Sequence, residues 1–124
     1  MSEFRVLACG GRNYDDRERL YRVLDKALKA ATLAGRTFVL IHGNARGADK
    51  LSHEWAMARQ VDDVRVYPAD WEQHGKAAGP IRNRLMLTDG QPNVIIAFKG
   101  GNGTANMIQQ GKKAGVPVHE VKND

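Results

Sequence analysis

The sequence predicts a three-layer α/β/α sandwich around a five-stranded, mainly parallel sheet. Three observations predict it. Short apolar runs alternate with longer amphipathic segments along all 124 residues. The run TFVLIHG at 37–43 is continuously apolar, as in a strand covered on both faces. The segments between runs are long enough for crossover helices, which place successive strands parallel through right-handed connections.

Each element has a local reason. FRVLAC, residues 4–9, is a short buried strand that stops at Gly10-Gly11. A helix follows from Asp15 or Asp16 to about Ala34. Leu20, Val23, Leu24, Ala27, Leu28 and Ala31 recur on one face, an Asp caps the start, and Gly35 suits the end. Residues 37–43 are the second strand. A helix from about Ala48 to Arg59 turns Leu51, Trp55, Ala56 and Ala58 inward. VRVYPA, 64–69, is the third strand, stopped by Pro68. The polar loop DWEQHGKAAG leads to a helix from Pro80 to about Thr88, with proline suited to the first helical turn. NVIIAF, 93–98, is the fourth strand, and FKGGNGTANM carries the chain into a helix from about Thr104 to Ala114. Residues 116–121 are a fifth strand, which Pro117 assigns to an edge. The alternation is Rossmann-like and fits one domain, residues 1–124.

Composition narrows the function. A net charge of +5, from 19 basic and 14 acidic residues, favours anionic partners. The basic residues are scattered, which argues against a nucleic-acid-binding tail. The single cysteine, Cys9, excludes an internal disulfide and a cysteine-based zinc site. The histidines at 42, 53, 74 and 119 are far apart, so no metal and no cofactor is expected. No apolar run reaches the roughly 20 residues that span a bilayer. No signal peptide is evident at MSEFRVLACGG, and a cytoplasmic location is expected.

Open parallel sheets bind ligands beyond the carboxyl ends of their strands. Gly10, Gly11 and Arg12 follow the first strand. Gly43, Ala45, Arg46, Gly47 and Asp49 follow the second, and Asp70 and Trp71 the third. Gly100, Gly101, Asn102, Gly103 and Thr104 follow the fourth. Glycines admit a ligand close to the backbone, and the free N–H groups of the next helix attract anions. Thr104 either caps that helix or donates its hydroxyl to a phosphate. Arg12, Arg46 and Arg82 offer guanidinium forks to phosphate. Asn83 suits ribose or base, and Trp71 suits base stacking or a half-buried anchor. Asp49 is a site carboxylate or a cap for its own helix. Arg84 and Lys76 read as surface residues. Trp55 reads as core, Met86 and Met107 as core or dimer contacts, and His42 as a packed, hydrogen-bonded strand end. No GxGxxG, GxxxxGK[ST], HExxH or GxSxG pattern is present.

Several segments together resemble one superfamily. GGNGT resembles the GGxGT loop of the SLOG proteins, which join the DNA-processing protein Smf/DprA to the LOG (Lonely Guy) enzymes. HGNARGAD resembles the GxARGxD segment of the DprA side, and AGPIRNRLM the arginine-bearing helix of LOG enzymes. With CGGRNYDD and YPADWEQHGKAAGPIRN, the combination is most similar to the YspA-like, YpsA-related branch. The resemblance implies a nucleotide-binding domain, often dimeric. LOG enzymes are phosphoribohydrolases that release the base from nucleoside 5′-monophosphates. Their arginine corresponds to Arg82, but their glutamate position is Met107 here. Methionine neither stabilises oxocarbenium-like charge nor activates water. A LOG-like hydrolase would therefore take its carboxylate from elsewhere, and beside Arg82 the strand-end Asp49 and Asp70 suit that role better than Glu54 or Glu72. A non-catalytic sensor of a nucleotide or ADP-ribose-like ligand, and DprA-like nucleic-acid binding, are the alternatives.

Overall fold

The computed structural model describes residues 2–122. Five strands, β1 (Glu3–Cys9), β2 (Thr37–His42), β3 (Asp63–Val66), β4 (Val94–Ala97) and β5 (Val118–Glu120), form one sheet in the order β3-β2-β1-β4-β5. Every neighbouring pair is parallel. The helices are α1 (Arg17–Leu33), α2 (Ala48–Ala58), α3 (Trp71–His74), α4 (Ala78–Thr88) and α5 (Asn102–Lys113). The fold is α/β and Rossmann-like.

Side-chain alternation along the strands feeds two cores. Val6, Ala8, Leu40, Ile96 and Phe98 pack with Leu20, Leu24 and Trp55 of α1 and α2. Leu7, Cys9, Val39, Ile41, Ile95 and Ala97 pack with Met86 of α4 and Met107 of α5. The helices thus cover both faces, which explains the unbroken apolar runs of the central strands. The chain winds outward from β1 to β3, then crosses back to place β4 on the other side of β1. The order reverses between β1 and β4, which opens a crevice at their carboxyl ends.

Several boundaries differ from expectation. Residues 71–74 form α3 rather than loop, because the Asp70 carboxylate accepts the Gln73 N–H at 3.0 Å and caps a short turn. A 3₁₀ turn, Gly75–Ala77, continues into α4, which begins at Ala78. Pro80 is the third helical residue, still within the first turn, where its missing N–H costs nothing. β3 is shorter than predicted, although the Tyr67 N–H still reaches the His42 carbonyl at 2.9 Å. β5 covers only 118–120, at an edge as Pro117 implies. Ala58 is exposed, whereas Asp49 and Ser52 are buried on α2. α5 begins at Asn102, so Thr104 is an interior residue of its first turn and not its cap.

Candidate functional site

Backbone hydrogen bonds carry the β1–β4 pairing past the strands and join their loops. Phe98 N–H donates to Cys9 O at 2.8 Å, and Gly11 N–H donates to Lys99 O at 3.0 Å. The Gly11 carbonyl then accepts from Tyr14 N–H at 3.2 Å and from Ala48 N–H at 3.1 Å. This close approach excludes side chains. A Cβ on Gly10 would lie 2.6 Å from the Cβ of Ala48, and one on Gly47, at φ +79°, would collide with the Gly11 carbonyl.

The 98–103 loop contains two kinds of glycine. Gly100 is required by the protein itself, since a Cβ there would strike the Thr104 hydroxyl and lie 2.6 Å from Gly11 N. A Cβ on Gly101 or Gly103 would meet nothing within 4 Å. Neither has a positive φ, so a tight turn accounts for only one of the three. Gly101 is the N-cap of α5 and supplies no side-chain cap, and no acidic residue stands in the first turn. The positive end of this 12-residue helix is therefore uncompensated. By contrast, α1 and α3 are capped by Asp16 and Asp70.

A cavity of about 1030 Å³ opens over these loops. Of the residues singled out in the sequence, Gly10, Gly11, Arg12, Ala45, Asp49, Trp71, Arg82, Asn83 and Gly100 to Thr104 line it. Gly43, Arg46, Gly47 and Asp70 do not. Gly43 lies behind the Arg82 guanidinium, whose Nη1 donates to the Gly43 carbonyl. Arg46 is exposed, and Asp70 caps α3. Tyr14, Lys76, Lys99 and Asn106 also line the cavity. Lys76 reads as surface in the sequence because it sits in a polar loop, and only the α3–α4 packing brings it here. The Tyr14 hydroxyl is buried without a hydrogen-bond partner among the described residues.

Arg82 and Asp49 are fixed by the surrounding backbone. Arg82 Nη1 also reaches the Tyr67 carbonyl at 3.4 Å, and Nε donates to Asn83 Oδ1 at 3.0 Å. Nη2 makes no hydrogen bond among the described residues, so one arm of the fork is open. Burial, and the nearby Arg12, lower the Arg82 pKa from its ordinary value, while Asp49 opposes them. Asp49 does not cap its own helix. Its Oδ2 accepts from Gly43 N–H and Ala45 N–H, both at 3.2 Å, and so brackets the loop before α2. Its Oδ1 has no partner among the described residues. Burial raises the Asp49 pKa to about 6, against the lowering effect of those backbone bonds and Arg82.

Asn83 is 4% exposed and ties α4 to α5. Its Nδ2 donates to Gly103 O at 3.3 Å and to Asn106 Oδ1 at 3.1 Å. The buried His42 accepts Asn44 N–H on Nδ1 at 3.0 Å, so its proton resides on Nε2 and points to His53 Nδ1 at 2.9 Å. Met107, 1% exposed, is core and leaves no carboxylate on that face of α5. Burial pushes the Cys9 thiol up, so it stays neutral.

The GGRNYDD turn after β1 and the ARGAD bracket before α2 meet the glycine loop at the same switch point. Residues 4–74 match the YspA, cpYpsA-related SLOG family, over more than half of the chain.

The chain belongs to this SLOG family.

The chain is also 38% identical over 120 residues to the gene 61 protein of Mycobacterium phage D29, covering 92% of this chain and 93% of that protein. The SLOG match spans the β1 and β2 loops and α3. Arg82 and the glycine loop of α5 lie beyond it. No helix among the described residues is long and apolar enough to cross a membrane.

Proposed function

We propose that the protein binds a nucleotide, or a phosphorylated molecule derived from one, with its phosphate at the start of α5. The observation that carries this is the pair of bare glycines, Gly101 and Gly103, at an uncapped helix N-terminus with open space before them. Backbone N–H groups there suit a phosphate, and the open arm of Arg82 lines the same cavity. Family membership supports a nucleotide-related ligand. A homodimer, and a cytoplasmic setting suited to the one buried cysteine, belong to the same proposal.

Calorimetric titration with ribose 5-phosphate and a panel of nucleoside monophosphates, NAD and ADP-ribose tests it. Arg82→Ala should weaken the tightest ligand by roughly tenfold or more, the scale of a lost charge-assisted hydrogen bond. An unchanged affinity would remove Arg82 from the site and overturn this arrangement.

A second reading is hydrolysis of the ligand's N-glycosidic bond. Asp49 favours it, because the residue lines the cavity and its pKa of about 6 suits proton transfer near neutrality. Asp70, engaged as a cap, does not favour it. Chromatography of the same incubations for free base decides: release that disappears in Asp49→Asn marks an enzyme. Tight binding without release marks a sensor in which Met107 replaces the LOG glutamate.

A further inference from the structure

On the wall of the same cavity, an indole and a guanidinium face each other. Trp71 is 48% exposed, unusually open for a tryptophan. It is the first residue of α3, which the Asp70 cap holds in shape. The edge of its ring rests over the bare backbone of Gly79, where an added Cβ would sit 3.5 Å from Cη2. The ring is thus positioned while staying about half exposed. Its face carries the Arg12 guanidinium, 5.2 Å from the ring centroid. Arg12 makes no ion pair or hydrogen bond among the described residues, and both side chains line the cavity.

We propose that Trp71 and Arg12 are the base-recognising clasp of this site. The base stacks on the indole face that Arg12 occupies in the free protein, and the displaced guanidinium turns to the ligand's phosphate. This rests on the phosphate position proposed above and adds the residues that distinguish a nucleotide from a bare sugar phosphate. The indole face is flat, apolar and reached from the cavity, which is what a nucleobase needs. The cation covers it at little cost, since an exposed cation–π contact is worth only about 0.5–1 kcal/mol. A base replaces it readily, and stacking tolerates any base because each has a π-face.

The test compares ribose 5-phosphate with the four common nucleoside 5′-monophosphates by calorimetry. At least one monophosphate should bind more tightly than ribose 5-phosphate by roughly ten- to a hundredfold, the range of one aromatic stack. That ratio should fall toward one in Trp71→Ala and be largely held in Trp71→Phe. A merely structural Trp71 would lower both affinities together and leave the ratio intact. In the wild-type protein, tryptophan emission should change with the monophosphate and not with ribose 5-phosphate, because Trp55 is fully buried in the core. A ratio near one in the wild type, or a ratio that survives Trp71→Ala, overturns the clasp and leaves the phosphate proposal standing. No binding of either compound sinks both.

Discussion

At the residue scale, Asp49 and His42 set opposing pH dependences. Burial, followed by the neighbouring His53 and Arg82, lowers the His42 pKa to about 4, while burial raises that of Asp49 to about 6. Below the ordinary histidine pKa of 6.5, the unfolded chain binds a proton that folded His42 refuses. This term loses stability as pH falls from 6.5 to about 4. Over nearly the same window, folded Asp49 holds a proton that the unfolded chain, at 3.8, releases. This term gains stability as pH falls from about 6. Each is worth up to about 3 kcal/mol, so they largely cancel. Asp49→Asn removes one side of the balance. Urea denaturation from pH 7 to 4 should show this variant losing stability more steeply than the wild type; equal slopes would contradict the assignment.

The loop glycines separate in the same way. Gly100→Ala should cost about 1–3 kcal/mol, the usual range for overpacking. Gly103→Ala lies in the first turn of α5 with open space before it, and should raise stability by up to about 1 kcal/mol. It should also weaken ligand binding by crowding the phosphate. Thermal unfolding with calorimetry of both variants checks the pair.

At the element scale, α3 is the least self-sufficient piece. Four residues make barely one helical turn, and none of them is buried. The Asp70 cap therefore matters more to the shape of α3 than to the stability of the whole. Asp70→Ala should cost about 1 kcal/mol locally. Hydrogen exchange at residues 71–77 should accelerate while the sheet amides stay protected, and nucleotide affinity should fall because Trp71 loses its orientation. Loss of protection throughout the sheet would show instead that α3 supports the core. Asn83 works at the same scale: it lines the cavity, and its amide holds the first turn of α5 against α4.

At the scale of the whole molecule, the candidate site occupies one crevice at the carboxyl ends of the strands. Arg17, Arg19, Arg59 and Arg65 are paired with carboxylates on the surface. Binding of a small phosphorylated ligand should therefore weaken only modestly with salt, with a log–log slope of roughly −1 to −2. A markedly steeper slope with single-stranded DNA, at comparable affinity, would favour the DprA-like alternative. The sequence by itself determined the order of strands and helices, because periodicity, glycines and prolines act over a few residues. It also placed Asp15 or Asp16 at a helix start, Trp55 in the core, Met107 in the core or a dimer contact, and the glycine loop before α5. It did not show that Asp70 caps a short helix, that Asp49 brackets the preceding loop, or that Lys76 and Tyr14 reach the cavity. Asp70 and Asp49 act through hydrogen bonds three to six residues apart, which hydrophobic periodicity does not register, whereas Lys76 reaches the cavity because the crossover from β3 to β4 lays α3 and α4 by packing between segments distant in the chain. The same crossover sets Arg12 against Trp71, residues that no sequence spacing connects.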